Sequence, residues 1–182
     1  VHIHGAGYNS VVRQVTVDQN LFVCAGQNEF SGLHLQGCNL DTVTDPDGNC
    51  GIYALNVDNI SVHNNWFSRF YASATHFQAC YNIRVQENVF FQNNWPQNPT
   101  YEPSFRACAD ISFSSIYASA QTGGRLIATG NYHFGQMSAA IFFNGAAGDQ
   151  GAIIVNNYIQ PLDANGAPIL TGMNNRHGIA VN

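Results

Sequence analysis

The sequence has no lysine and few charges of either sign. Charged residues make up 9% of the chain, its six basic residues are all arginine, and its formal net charge is -5. A nucleic-acid-binding protein needs a basic stripe that neutralises phosphates. The composition therefore argues against nucleic acid as a partner.

Long apolar runs and a dense cysteine framework are also missing. No run of about 18 apolar residues occurs, which argues against a membrane-spanning helix. Five cysteines are too few for a disulfide scaffold of this length, and their spacings form no zinc pattern. A Cys38–Cys50 bridge and buried free thiols both remain open. The 45% hydrophobic content still supplies a core for one domain of 182 residues.

What the sequence does have is a repeat. Residues 51–67 contain two short stretches of alternating apolar and polar residues, separated by a bend at Asn59. Residues 75–90 repeat this pattern, with Asn82 in the place of Asn59. A period near twenty residues without a helical pattern is typical of a solenoid.

Weaker copies of the repeat run through the chain. First strands are expected to begin near residues 1, 33, 52, 75, 111, 141 and 179, which makes about six turns in one segment, 1–182, with no internal domain boundary. Longer excursions interrupt it at 39–50, 91–108 and 160–177. Because native solenoids cap their open ends, we expect further turns at both ends and hence a piece of a longer β-helix.

The pattern resembles the right-handed parallel β-helix proteins of the pectate-lyase-like superfamily. The resemblance rests on residues 51–67 and their copies, covers nearly the whole chain and concerns architecture rather than chemistry. It implies an all-β, right-handed parallel β-helix with an internal ladder of asparagine amides: Asn20, Asn65, Asn88, Asn131 and Asn157. The residues two positions later should point into the core: Phe22, Phe67, Phe90, His133 and Ile159. Asn93 falls in an excursion, where substitution should do little.

The best candidate site is a polar column on the first strands. Aligning the copies places four residues on one outward-facing column: His2, His34, Tyr53 and His76. The neighbouring column contains His4, Gln36, Leu55 and Gln78. Flat rings and amides suit a polysaccharide-binding groove, so the substrate-binding candidates are His2, His34, Tyr53, His76, Gln36 and Gln78. The alternative is that outward positions of any β-helix carry polar residues.

An acidic loop follows the expected strand at residue 33. Asp45 and Asp47 are catalytic candidates, because glycoside hydrolysis needs two carboxylates. With Asn49 they also have the oxygen-ligand density of a calcium site, although the EF-hand spacing is absent. A plain turn remains open, since Asp, Pro, Gly and Asn are turn residues. No cofactor other than calcium is suggested.

Arginine is the remaining catalytic candidate. The resemblance implies an Arg or Lys base if the chemistry is β-elimination, and Arg84 projects outward from a strand, while Arg106 lies at the foot of a long excursion. Both are also compatible with ion-paired surface residues. The signature motifs of polygalacturonases and pectate lyases are absent from the sequence.

Two functions are compatible with these features. The first is a secreted, extracellular carbohydrate-active β-helix, a polysaccharide lyase or a glycoside hydrolase, acting along the polar column. The second is a non-catalytic structural segment of an extracellular adhesin, a phage tail protein or a filament. Four apolar residues at outward positions favour the second function: Ile127, Phe142, Ile153 and Val155. Such residues are expected to be covered by a loop or by a neighbouring subunit in a homo-oligomer. Fold alone cannot choose between them.

Overall fold

The computed structural model describes residues 2–4, 12–23, 51–55, 57–70, 73–78, 80–93, 109–114, 124–135, 139–145, 151–160, 162 and 177–181. The elements in this part of the chain are, in order, β1 His2–His4, β2 Val12–Asp18, β3 Leu21–Val23, β4 Ile52–Leu55, β5 Val57–His63, β6 Trp66–Ser68, β7 Thr75–Gln78, β8 Tyr81–Gln86, β9 Val89–Phe91, β10 Ala109–Ser114, β11 Arg125–Thr129, β12 Tyr132–Phe134, β13 Ala139–Asn144, β14 Gly151–Val155, β15 Tyr158–Gln160 and β16 His177–Val181. Within these ranges no helix is long and apolar enough to cross a membrane.

The strands form three parallel sheets. Sheet A has the order β1-β4-β7-β10-β13-β16, sheet B the order β2-β5-β8-β11-β14, and sheet C the order β3-β6-β9-β12-β15. Each strand therefore pairs with the strand three places further along the chain, so that one strand from every turn lies in each sheet. This is a parallel β-helix, as the sequence repeat predicts, and it has about five turns.

The observed strand pairing confirms the expected register in one region and corrects it in another. Ile60 pairs with Ile83 and Val62 with Val85, as predicted. The expected level at residue 33, however, does not stand between β1 and β4, because these strands pair directly, with His2 opposite Tyr53. The stack therefore has about five turns rather than six. Residues 33–38 themselves lie outside the described ranges.

The bends between sheets B and C are made by one left-handed residue in every turn. Its φ is between 54° and 67° at Gln19, Asn64, Glu87, Gly130 and Asn156. Each of these residues directly precedes an asparagine of the predicted ladder. Backbone N–H groups at these bends donate hydrogen bonds to carbonyl groups of the next turn. For example, Glu87 N donates to Thr129 O at 3.1 Å. The recurring bend keeps sheets B and C in register, and glycine and asparagine adopt it at little cost.

The asparagine ladder is confirmed along its full length. The side-chain Nδ2 of each asparagine donates to the Oδ1 of the next one, at 3.1 Å from Asn20 to Asn65, 3.0 Å from Asn65 to Asn88, 3.1 Å from Asn88 to Asn131 and 2.9 Å from Asn131 to Asn157. The three central members are buried. The ladder satisfies amide groups that the bends would otherwise leave buried without partners.

The core beside the ladder is a stack of rings, also as predicted. Phe22 and Phe67 lie 4.8 Å apart between ring centroids, Phe67 and Phe90 5.2 Å, and Phe90 and His133 4.9 Å, with planes within 10° of parallel. Ile159 packs partly buried at the end of this column. One inward position in sheet C therefore aligns the same kind of side chain in successive turns.

The prediction for Asn93 was wrong. β9 extends to Phe91 and the described chain to Asn93, so the excursion starts later than residue 91. Asn93 is fully buried, its Oδ1 accepts a hydrogen bond from Phe70 N at 3.0 Å, and its Nδ2 donates to Phe67 O at 3.2 Å. Asn93 is therefore part of the hydrogen-bonded interior at the corner that leaves sheet C.

Candidate functional site

The predicted polar column lies on the outer face of sheet A. Tyr53 and His76 are register partners, and Ser112 and Phe142 follow in the same column. Their strand neighbours Ile52, Ala54, Phe77, Ile111 and Phe113 belong to the core, so the column residues point outward. The structure thus brings together the described members of this set.

Three of the predicted substrate-binding side chains touch one another. The rings of Tyr53 and His76 stack with centroids 5.7 Å apart and planes 15° from parallel. The Tyr53 hydroxyl donates to Gln78 Oε1 at 2.5 Å. These contacts fix the orientation of two flat rings and one amide on neighbouring strands.

The column is not the open groove that the sequence suggested. The exposed fraction is 3% for both Tyr53 and His76, 7% for Gln78 and zero for Ser112. Phe142, an outward apolar residue for which cover by a loop or a neighbouring subunit was predicted, is buried with Ala109 and Ala139. At β4, β7, β10 and β13 the outward side chains of this column are therefore enclosed within the chain, and outward direction did not imply exposure.

Two polar atoms in this enclosed column have no hydrogen-bond partner: His76 Nδ1 and Ser112 Oγ. Burial lowers the pKa of His76 from 6.5 to about 4, so the imidazole is neutral at physiological pH. A neutral imidazole and a hydroxyl can each both donate and accept, which is the chemistry that a sugar hydroxyl requires. Neighbouring unsatisfied groups of this kind are uncommon in a packed interior.

The other predicted site residues of this region are His2 and a set outside the part of the chain that the structure describes. The backbone of His2 pairs with Tyr53, while the residues that lie outside the described ranges are His34, Gln36, Asp45, Asp47 and Asn49. Their catalytic, substrate-binding and calcium-binding roles stay predictions. Among the residues that the structure describes, no group of three or more His, Cys, Asp and Glu side chains could hold a metal ion.

Arg84 lies on a different face. It is exposed on the outer side of sheet B, between Ser61 and Ile127 in the register. A substrate on the sheet A column would therefore not be adjacent to Arg84, and a base at this position would have to act on a ligand at sheet B.

The described carboxylates do not form a glycosidase pair on sheet A. Asp18 and Asp58 belong to strands of sheet B, and Glu87 lies at the bend that follows it. Asp110 points into the core, where its Oδ2 lies 2.8 Å from His133 Nδ1. This Asp–His pair resembles half of a catalytic triad, but both side chains are at most 1% exposed. The pair is therefore a structural contact.

Sequence reasoning missed two features. The first is Ser112, which follows His76 in the column and whose unpaired hydroxyl depends on packing that a sequence does not show. The second feature is an exposed aromatic surface on sheet C, including Trp66, Tyr132 and Tyr158. These residues alternate with the predicted core column, so the same period-two pattern could have revealed them.

No protein-family model, no curated protein and no solved structure matches this chain.

Proposed function

We propose that this chain is an extracellular carbohydrate-active β-helix, related to the pectate-lyase-like superfamily, that binds a polysaccharide at the outer face of sheet A. The observation that supports it is the enclosed polar column, in which His76 Nδ1 and Ser112 Oγ have no partner. Each unsatisfied buried group costs about 1–3 kcal/mol. A ligand hydroxyl that reached both groups would recover this free energy as binding.

The column has the side chains that sugars need. Tyr53 and His76 contribute two flat rings that stack on each other and are each 3% exposed, and Gln78 holds the Tyr53 hydroxyl in place. Because burial keeps His76 neutral well below pH 6, binding depends on ring faces and hydrogen bonds rather than on charge. Affinity should therefore be nearly constant between about pH 6 and 8.

The topology brings the long connections of the chain to this sheet. Residues 24–51 and 92–108 lead from sheet C into sheet A, and residues 115–124 lead from sheet A into sheet B. Long connections between the strands of a scaffold are where binding and catalytic groups concentrate. Asp45 and Asp47 belong to the first of these connections, and they remain the proposed catalytic carboxylates or calcium ligands.

Glycan-array binding and turnover by purified variants test the proposal. Ser112→Ala removes an unpaired hydroxyl, so we expect an unchanged or higher melting temperature together with weaker glycan binding. Ser61→Ala, on sheet B, is the matched control and should leave binding unchanged. Wild-type protein that binds and cleaves no glycan on a broad panel would refute the proposal.

The carboxylate variants separate an enzyme from a binding module. Asp45→Asn with Asp47→Asn should abolish turnover and retain binding if the acidic loop carries the chemistry. Reducing ends without unsaturated products would identify a hydrolase, whereas unsaturated sugar ends would identify a lyase. Full activity in this double variant would exclude both residues from catalysis.

A specific observation favours the second function, a structural segment that assembles with copies of itself. Ile153 and Val155 lie 42% and 47% exposed on the outer side of sheet B, and Ile127 is next to Ile153 in the register. Exposed apolar groups of this kind mark interaction surfaces. Light scattering at increasing protein concentration, compared with Ile153→Ser, distinguishes this function: a mass that grows for wild type alone would support assembly.

A further inference from the structure

The outer face of sheet C is an uncharged, exposed aromatic surface, here called the aromatic stripe. It comprises the two outward residues of each strand, of which Ser68 is buried and the others are exposed or half-buried: Leu21, Val23, Trp66, Ser68, Val89, Phe91, Tyr132, Phe134, Tyr158 and Gln160. Trp66 is 42% exposed, and Tyr132 and Tyr158 are each 50% exposed. The charged residues Glu87 and Arg69 lie at the bends that border the sheet, outside the stripe.

The rings of the stripe contact one another across the turns. Trp66 and Phe91 lie 6.1 Å apart between centroids, and Phe134 and Tyr158 5.8 Å. Within β12, the ring planes of Tyr132 and Phe134 are 12° from parallel. The Tyr158 hydroxyl donates to Gln160 Oε1 at 2.7 Å, which orients that ring. The parallel register therefore lines up flat rings along the axis of the β-helix.

We propose that the aromatic stripe binds a neutral, linear polysaccharide, at a surface separate from the site on sheet A. Exposed rings with hydroxyl and amide groups at their margins match the apolar faces and the hydroxyl edges of sugar rings. The absence of charge at all ten positions of the stripe favours a neutral ligand over an acidic polysaccharide, because an anionic chain would gain no ion pair there.

The stripe is long and narrow. Five strands about 4.8 Å apart and three residues of about 3.3 Å give a footprint of roughly 24 Å by 10 Å. A surface of this shape fits one extended polymer chain and is long enough for several sugar units in a row.

Retention on insoluble polysaccharide tests the inference. Cellulose, chitin and an insoluble β-glucan are the neutral probes, and polygalacturonate is the acidic comparison. We expect wild type to be retained on at least one neutral probe, and to be retained no more strongly on polygalacturonate than on that probe. Trp66→Ala and Tyr132→Ala should each weaken retention about tenfold, the effect of losing one stacked ring. Ile153→Ala, an exposed apolar residue on sheet B, should have no effect.

A second measurement leaves every ring of the stripe in place. The sequence contains two tryptophans, so Trp95→Phe leaves Trp66 as the reporter. A soluble oligosaccharide of the retained polymer should protect this fluorescence from acrylamide quenching. Unchanged retention in a folded Trp66→Ala, Tyr132→Ala double variant would overturn the inference, as would a concentration-dependent dimer that these substitutions dissociate. Intact retention in Ser112→Ala would show that the stripe acts independently of the site on sheet A.

Discussion

His133 Nδ1 lies 2.8 Å from Asp110 Oδ2 in the interior of the β-helix, where both side chains are almost completely buried. His133 takes the place of a phenylalanine in the ring stack beside Phe90. Burial raises the pKa of Asp110, although the hydrogen bond and the charge of His133 oppose this change. The buried ring position is thus tied to a buried carboxyl group, and either group alone would be costly.

The first prediction separates the two groups. His133→Phe restores the aromatic stack but leaves Asp110 without its ring partner, so unfolding free energy should fall by about 3–5 kcal/mol. Adding Asp110→Ala should recover most of this loss, because Ala74 and Ala140 are the buried residues at the equivalent place in the neighbouring turns. Chemical denaturation of the single and double variants measures the effect. A double variant as unstable as His133→Phe would contradict it.

The second prediction concerns the asparagine ladder. Asn88 accepts at Oδ1 from Asn65 N at 3.0 Å and donates from Nδ2 to Val62 O at 2.9 Å, both within the buried interior. Asn88→Ala should lower the unfolding free energy by about 1–3 kcal/mol, because it leaves these groups unpaired. Asn20→Ala is the matched control at an exposed position of the ladder and should cost less. Equal shifts in the denaturation midpoint would argue against a burial effect.

The sequence predicted the inward columns and the ladder because both follow from a local period-two pattern anchored by asparagine at each bend. It did not predict the Asp110–His133 pair, since the two residues lie on different sheets and no pattern within one strand joins them. The enclosure of Tyr53 and His76 was missed for a similar reason. Whether an outward residue is exposed depends on what lies over it, and alternation alone carries no information about that.

The third prediction tests the packing at Gly51, directly before β4 in sheet A. A Cβ atom on Gly51 would lie 2.8 Å from Ala74 O and 2.9 Å from Phe70 Cζ. Gly51→Ala should therefore lower the melting temperature, with a loss of about 1–3 kcal/mol from overpacking. Gly178→Ala is the control, because the nearest atom there, Ile159 Cδ1, is 3.5 Å away. A Gly51→Ala protein as stable as the control would show that this corner can relax.

The fourth prediction is a pH dependence of stability that originates at His76. The pKa of His76 is about 4 in the folded protein, whereas its ordinary value is 6.5. Between these two pH values the unfolded chain therefore binds more protons at this residue than the folded chain does. Stability from this group is therefore complete above about pH 6.5 and is lost as pH falls towards 4. The difference corresponds to roughly 3 kcal/mol.

Denaturant unfolding at several pH values between about 4 and 7 measures this effect. His76→Gln cannot titrate in this range and should flatten the loss of stability at low pH by most of that amount. Tyr53→Phe is the matched control, since it alters the ring that stacks on His76 without adding or removing a group that titrates there. Its stability should keep the wild-type dependence on pH. If His76→Gln and wild type lost stability in parallel, the imidazole would be open to solvent, and the enclosed column on sheet A would not exist in solution.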